Sequence, residues 1–176
     1  MMQRGERDLL RRFLFIMMYR NKNFHGRFNV SKENYNADDR AEMMEYMDRK
    51  GFKKPIDVWF SNINAFIDVK IDRNPMAWNH RIVEQASLGD ALWFWKNITM
   101  HYLAFCTPED PEDEFILSEN SYGVFEGLNS SNKLWTDFHL FAPVTPKLMI
   151  ILRSNMLPRR FDDEDPDRCE KVEVRP

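Results

Sequence analysis

The sequence predicts an α+β fold in which helices come first and a small antiparallel sheet of about three strands follows. Apolar residues recur at helical intervals through residues 1–106. The stretch TPEDPEDE, Thr107–Glu114, then places prolines and acids where a solvated hinge is expected. Beyond this hinge the apolar runs are short and closer to the periodicity of strands. Because helices and strands are segregated along the chain, an alternating βαβ fold is disfavoured.

The first two of four main helices are predicted over residues 7–24 and from Asn36 to Gly51. Asn36 can accept hydrogen bonds from the free amides of a first helical turn, and Gly51 stands where a left-handed C-terminal residue is favoured. The second helix is expected to have one face made of Ala41, Met44 and Met47. The first helix is expected to bury an apolar stripe made of Leu9, Phe13, Ile16, Met17 and Phe24.

The third helix is predicted from Pro55, whose missing N–H costs nothing in a first turn, to a break at Asn74–Pro75. After a linker with one short helical turn, the fourth helix is predicted over Gly89–Cys106. Its density of aromatic residues favours a central position. Its expected buried stripe consists of Leu92, Trp95, Ile98, Tyr102 and Phe105.

Strands are predicted in the segments EFILS, WTDFHLFAP and KLMIILR. The last of these, Lys147–Arg153, is a near-continuous apolar run between prolines, which is typical of a central strand. We therefore expect a single domain over residues 1–158, with a helical part at 1–106 and a sheet part at 115–158. Residues 159–176 are highly charged, with little to bury, and are expected to form a flexible tail.

Composition narrows the class of protein. A chain of 176 residues with a net charge of −3 suits one globular domain, and its scattered basic residues argue against a nucleic-acid partner. The apolar run Phe13–Tyr19 is far shorter than the roughly 20 residues that span a membrane, so no membrane partner is expected. Cys106 and Cys169 lie in dissimilar contexts, which favours free thiols in the cytoplasm or nucleus.

The segment SENSYG, Ser118–Gly123, is the strongest candidate site because it gathers polar groups directly after a predicted strand. Glu119 can serve as a base or a cation ligand, and Asn120 can hold a substrate by hydrogen bonds. The alternative is a plain turn, since Ser118 and Asn120 are residue types that bond to their own backbone and Gly123 supplies an unusual dihedral. The turn is the favoured interpretation.

Two further places offer polar candidates. His139 precedes a proline-containing segment that is stiff enough to hold a site or to block edge pairing. Arg20 and His25, with Arg27, form a local cationic segment that suits an anion, although ordinary solvated charges have the same pattern. The sequence shows no phosphate loop, no dinucleotide fingerprint and no paired zinc ligands, so it assigns no cofactor and no metal site.

The segments DEFILSENSYGVFEG and FHLFAPVTPKLMIILRS resemble the closing region of domain of unknown function 4238, in its fungal form. In that family a strand leads to Ser/Thr-Asp-Asn, and Ser118, Glu119 and Asn120 occupy this pattern here. A Pro-Leu-Ser-Pro-like segment follows, and Pro143–Pro146 occupies it. The segments LRRFLFIMMYRNKNFHGRF and RKGFKKPIDVWFSNI extend the resemblance to about residues 10–158. The resemblance implies no assigned activity.

This chain departs from the family pattern in two ways. Glu119 stands where the family usually has the shorter aspartate, which would misplace a tightly positioned ligand. Family members also typically begin with a segment that contains a histidine and a Pro-x-x-Leu-like strand, and we expect that segment to be missing here. A truncated or inactive family member is therefore one expectation.

Two functions from different classes follow. The first is a non-catalytic domain that binds a small molecule or a protein partner through the turn after Phe115, because no nucleophile–base pair or metal set is visible. The second is a hydrolase-like enzyme, including a nuclease, with Glu119 and Asn120 at the site and Arg20 or His139 assisting. A restriction-type nuclease would place a lysine two residues after Glu119, where this chain has serine.

Overall fold

The computed structural model of the chain describes residues 2–21, 26–28, 37–116, 124–127 and 138–155. The chain forms two compact units, Met1–Thr99 and Met100–Pro176. The first unit contains the helices α1 Arg4–Tyr19, α2 Ala37–Lys50, α3 Pro55–Asp68, α4 Pro75–Gln85 and α5 Leu88–Thr99. The second contains the strands β1 His101–Cys106, β2 Val124–Gly127, β3 Phe138–Thr145 and β4 Leu148–Ser154. The predicted α+β class is confirmed, and none of these helices combines the length and apolar character that crossing a membrane requires.

The core of the helical unit is aromatic. Phe94 on α5 stacks on Phe66 of α3 with ring centroids 4.7 Å apart. Phe15 of α1 packs edge-on against both rings, at 5.3 Å from Phe66 and 5.0 Å from Phe94. Trp78 of α4 meets Phe94 at 5.9 Å. These four side chains are fully buried, so the aromatic richness of the sequence is used to join four helices.

The prediction for the buried face of α1 is wrong. Leu9 is 64% exposed, Phe13 56% and Met17 39%, whereas the buried side chains are Leu14, Phe15, Met18 and Tyr19. The run from Phe13 to Tyr19 is apolar on every side, so periodicity alone cannot identify the face that packs. The orientation is set by tertiary contacts, including hydrogen bonds from the Arg12 guanidinium to the carbonyl oxygens of Ile67 and Val69 at the end of α3.

Helix α4 was not among the predicted main helices. The pair Asn74–Pro75 suggests a break, but in the structure it starts a helix of 11 residues. The Asn74 side chain accepts a hydrogen bond from the Met76 amide at 3.0 Å, and Pro75 occupies the first turn, where its missing N–H costs nothing. The preceding helix has already ended at Asp68, so Asn74 and Pro75 mark the beginning of a helix and not the predicted break.

Helix α2 ends where the sequence predicts. Gly51 has φ of +72°, in the left-handed region. The Phe52 amide donates to the Met47 carbonyl at 2.9 Å and the Gly51 amide donates to the Asp48 carbonyl at 3.3 Å, which is the paired bonding of a Schellman motif. The motif turns Phe52 back toward the helix it follows, and its ring lies 6.1 Å from that of Tyr46.

We expect Gly51→Ala to lower the free energy of unfolding by about 1 kcal/mol, because only the backbone conformation is strained by the new Cβ. A Cβ at residue 51 would meet nothing within 4 Å, so no clash contributes. Urea denaturation measures the change. Gly5→Ala is the control, since Gly5 lies in α1 with equally open space. That variant should be neutral or slightly stabilising. Equal losses in both variants would contradict the backbone explanation.

The predicted fourth helix is correct only in its first half. Helix α5 ends at Thr99, and His101–Cys106, predicted as helix, is strand β1. This strand pairs antiparallel with β4 along its whole length, from His101 opposite Ser154 to Cys106 opposite Met149. Aromatic and apolar residues in a short run suit either a helix or a strand, and the available partner strand decides between them.

The sheet has the strand order β1-β4-β3-β2. Strand β4 is hydrogen-bonded on both sides, which confirms the prediction of a central strand for the apolar run at Lys147–Arg153. Pro143 lies on β3, where the register shifts between Pro143 and Thr145, as expected for a residue without an N–H donor. The predicted strand EFILS is not observed over Glu114–Ile116, and its other residues lie outside the described part of the chain.

The acidic stretch Thr107–Glu114 is a loop, as predicted, but it follows β1 and so lies inside the sheet unit. Lys147, in the tight turn between β3 and β4, holds this loop. Its Nζ donates to the carbonyl oxygens of Pro111 at 2.7 Å and Asp113 at 2.8 Å. The Phe115 amide donates to the Pro146 carbonyl at 2.8 Å. These contacts give Lys147 a structural role.

Candidate functional site

The structure leaves most of the predicted site untested. Ser118, Glu119, Asn120 and His25 lie outside the described residues. Arg20 is exposed directly after the last residue of α1. His139 lies on β3, where its backbone is paired with Glu126 of β2 and Arg153 of β4. Arg20 belongs to the helical unit and His139 to the sheet unit. The assignment of these side chains to a site therefore stays a prediction.

A cluster of buried polar side chains lies at the start of α5. It consists of Tyr19, Asn62, Ser87 and Asp90, each at most 5% exposed, and is joined by Arg27. Asp90 accepts hydrogen bonds from the Tyr19 hydroxyl at 2.9 Å and the Ser87 hydroxyl at 3.1 Å. Arg27 donates to the other carboxylate oxygen at 3.0 Å.

Asn62 occupies the middle of the polar cluster. Its Nδ2 lies 2.9 Å from the Tyr19 hydroxyl, the Ser87 hydroxyl and an Asp90 carboxylate oxygen, so its two protons serve three acceptors. Its Oδ1 accepts from the Ser87 amide at 2.9 Å. Asn62 therefore uses both its donor and its acceptor groups inside the cluster.

The sequence Ser87-Leu88-Gly89-Asp90 explains how the cluster forms locally. Ser87 precedes the first turn of α5 and Asp90 lies within that turn, where the helix dipole favours negative charge. Burial, followed by the nearby Asp90 carboxylate, raises the pKa of the Tyr19 phenol well above its ordinary value. Tyr19 therefore stays protonated and donates its hydroxyl proton to Asp90.

The polar cluster is a structural element. Among the described residues, the Asp90 carboxylate pairs with Arg27 and accepts hydrogen bonds from Tyr19, Asn62 and Ser87. The cluster ties α1, α3 and the start of α5 together.

An open groove beside α2 is the best candidate for a binding site in the described residues of the helical unit. We call it the Met groove, and it encloses about 140 Å³. Its floor is apolar, and charged side chains stand at its edge. The lining residues are Arg40, Met43, Met44, Met47, Asp48, Phe52, Lys53 and Pro55.

The sequence builds the Met groove from two adjacent segments. Spacings of three and four residues place Arg40, Met43, Met44 and Met47 along one side of α2. The Schellman turn at Gly51 then brings Phe52 back beside this side of the helix. Pro55 begins α3 and completes the lining.

The volume of the Met groove limits what it can hold. A cavity of about 150 Å³ holds one benzene ring, whereas pockets for drug-sized ligands and cofactors usually enclose about 300–1,000 Å³. At 140 Å³, the groove suits one aromatic or aliphatic side chain. Its methionines are flexible and polarizable, so they can adapt to different apolar shapes.

Sequence reasoning missed the Met groove. Ala41, Met44 and Met47 were predicted only to share one face of the helix, and the basic residues were described as scattered. The informative pattern is RKGFKKP, residues 49–55, in which four cations surround the helix-ending glycine and a phenylalanine. Among the described residues, no group of three histidine, cysteine, aspartate or glutamate side chains has a geometry that could hold a metal ion.

Comparison with known proteins identifies a family. The model of the family described as "Protein of unknown function (DUF4238)" matches residues 1–175. No curated protein and no solved structure matches the chain.

Proposed function

The chain belongs to the family described as protein of unknown function (DUF4238), as its resemblance predicts. Because that description names no activity, we propose a function from the geometry. The proposed function is that of a non-catalytic binding domain whose Met groove receives one apolar side chain of a ligand or protein partner. The observation that carries this proposal is the size and lining of the groove. An apolar recess with polar edges is the usual form of a recognition site.

The polar cluster supports the same proposal. Its groups are buried, and their hydrogen bonds are directed to one another. In an enzyme, at least one such group would face the substrate. Here the open recess and the concentrated polar chemistry are in different places, which favours binding over catalysis.

The groove is testable with a short neutral peptide that carries one phenylalanine among glycines and serines. Burial of one phenylalanine contributes about 1.5–3 kcal/mol, so we expect weak binding, with a Kd of roughly 6–80 mM. With ¹³C-methyl-labelled methionine, NMR should show shifts of the Met43, Met44 and Met47 methyl signals. The methyl signals of Met17 and Met76, which are exposed elsewhere, should stay in place.

Two controls make this test decisive. A peptide with alanine in place of phenylalanine should cause no shifts, because a methyl group buries too little area. Met44→Gln should weaken binding several-fold, while Met17→Gln, a change of the same chemistry on an exposed part of α1, should not. Equal shifts at all five methionines would show non-specific association and would rule out the groove as the site.

The other predictions from the sequence stay predictions. They are the hydrolase-like activity around Glu119 and Asn120, binding through the turn after Phe115, the fungal form of the family, and a cytoplasmic or nuclear location. Nothing in the geometry of the described residues favours the hydrolase over the binding domain.

A further inference from the structure

We propose that the Met groove binds an acidic peptide segment, in which carboxylates flank the apolar side chain that enters the groove. This inference rests on the proposed function and adds the chemistry of the partner. It is carried by the charges at the edge of the groove and by their lack of partners within the described residues.

The edge of the Met groove is cationic. Arg40 and Lys53 line it, and Lys54 follows directly in the chain; all three side chains are exposed. In the described residues none of the three forms an ion pair with an acidic side chain. Asp48 is the one acid among the lining residues. A ligand with carboxylates beside its apolar side chain would complement this edge.

Two neighbouring cations are already engaged. Arg49 lies over the ring of the buried Tyr46 at 5.2 Å, and Lys50 lies over the same ring at 5.7 Å. Both are also in the last turn of α2, where positive charge favours the helix. Both therefore have a role in the fold, which leaves Arg40, Lys53 and Lys54 as the cations that can meet a ligand.

Lys53 and Lys54 have no comparable role in the fold. They directly precede the first turn of α3, and positive charge at the N-terminal end of a helix is unfavourable. Asp57 compensates there by accepting a hydrogen bond from the Lys54 amide at 3.1 Å. Two exposed lysines at a position that gains nothing from them, beside an apolar recess, are best explained by an external anion.

A peptide fits this arrangement better than a nucleic acid. Phe52 is half-buried in the lining, so it does not offer the exposed ring face on which bases stack. The walls of the recess are thioether and hydrocarbon, whereas a strand of phosphates needs a continuous path of cations. An apolar side chain with carboxylates beside it meets both parts of the site.

The test compares three peptides with the same central phenylalanine, flanked by glutamates, glutamines or lysines, against the full chain. At low ionic strength we expect the glutamate peptide to bind about tenfold more tightly than the glutamine peptide, and the lysine peptide to bind most weakly. The preference should largely disappear in about 0.5 M salt. Fluorescence anisotropy of labelled peptides measures all three.

Charge reversal provides the sharper comparison. Lys53→Glu combined with Lys54→Glu should bring the affinity of the glutamate peptide below that of the glutamine peptide and make the lysine peptide the tightest of the three. Lys70→Glu is the matched control, because Lys70 is equally exposed but does not line the groove. It should leave the order of the peptides unchanged. If the double variant fails to fold, Lys53→Gln and the salt titration of the unaltered chain still decide the question.

The outcomes separate this inference from the proposed function. If no phenylalanine peptide binds, the proposed function fails and this inference fails with it. If the glutamine peptide binds and the glutamate peptide binds no better, only the acidic partner is wrong. Single-stranded oligothymidine is tested as a competitor for the labelled peptides. If it displaces them at a lower concentration than the unlabelled glutamate peptide does, the groove binds nucleic acid and the inference is overturned.

Discussion

Asp90→Ala is expected to lower the free energy of unfolding of the helical unit by about 3–5 kcal/mol, because it removes one partner of a buried ionic cluster. Tyr19, Asn62 and Ser87 would each lose a hydrogen-bonding partner, and Arg27 would lose its counter-ion. Buried polar groups left without partners account for most of such losses. The tryptophans Trp59, Trp78, Trp93 and Trp95 all lie in this unit, so their fluorescence in a urea titration reports its unfolding.

Graded variants test the explanation. Tyr19→Phe removes one hydroxyl group from the cluster and should cost about 1–2 kcal/mol. Glu45→Ala is the control, since Glu45 is an exposed acid on α2 and its loss should change stability by less than about 0.5 kcal/mol. If Asp90→Ala were no more destabilising than Glu45→Ala, the cluster would not be the tie between α1, α3 and α5 that its geometry indicates.

Phe94→Ala should cost about 3–5 kcal/mol, since it leaves a cavity where a fully buried ring has been. The ring of Phe94 contacts Phe15, Phe66 and Trp78, so three other helices lose packing at once. Thermal unfolding followed by circular dichroism measures the shift in midpoint.

Phe60→Ala is the matched control for Phe94, because it removes the same side chain at a position that is 56% exposed. We expect a loss below about 1 kcal/mol there. Should Phe94→Ala not fold, Phe94→Leu, with an expected cost of about 1.5 kcal/mol, still measures the site. Equal losses at residues 60 and 94 would contradict the assignment of the aromatic core.

Local chemistry made part of the fold predictable. Gly51 ends α2 and Pro55 begins α3 because both residues have strong backbone preferences that tertiary packing did not override. The apolar run before Pro158 predicts a central strand because a strand paired on both sides needs apolar residues on both faces.

The errors have a common physical cause. The apolar segment Phe13–Tyr19 and the aromatic segment His101–Cys106 contain too few polar residues to mark which side is buried or which period applies. Phe15 is buried because other helices pack against it, and Phe13 on the same helix is exposed. Only the partner segments, far away in the sequence, supply that information.

The candidate site was harder to predict than the fold. The Met groove depends on Phe52 being turned back beside Met47, which requires the three-dimensional course of the chain after Gly51. Asp90 in the polar cluster meets Tyr19, a residue 71 positions earlier, and no local pattern indicates that contact. Sequence analysis recognises a candidate site more readily in polar residues that are adjacent in the sequence, such as Glu119 and Asn120, than in polar residues that only the fold brings together.

Helix α2 is anchored near both ends, and this has a consequence for recognition. Near its start, the Glu42 carboxylate accepts a hydrogen bond from the Gly89 amide. The two groups are so close that a Cβ at residue 89 would require Glu42 to shift. Its far end is held by the turn at Gly51. A partner that docks here meets a helix backbone that is already ordered, so association sacrifices little backbone freedom of the protein, and this limits the entropic cost of binding over a small contact area.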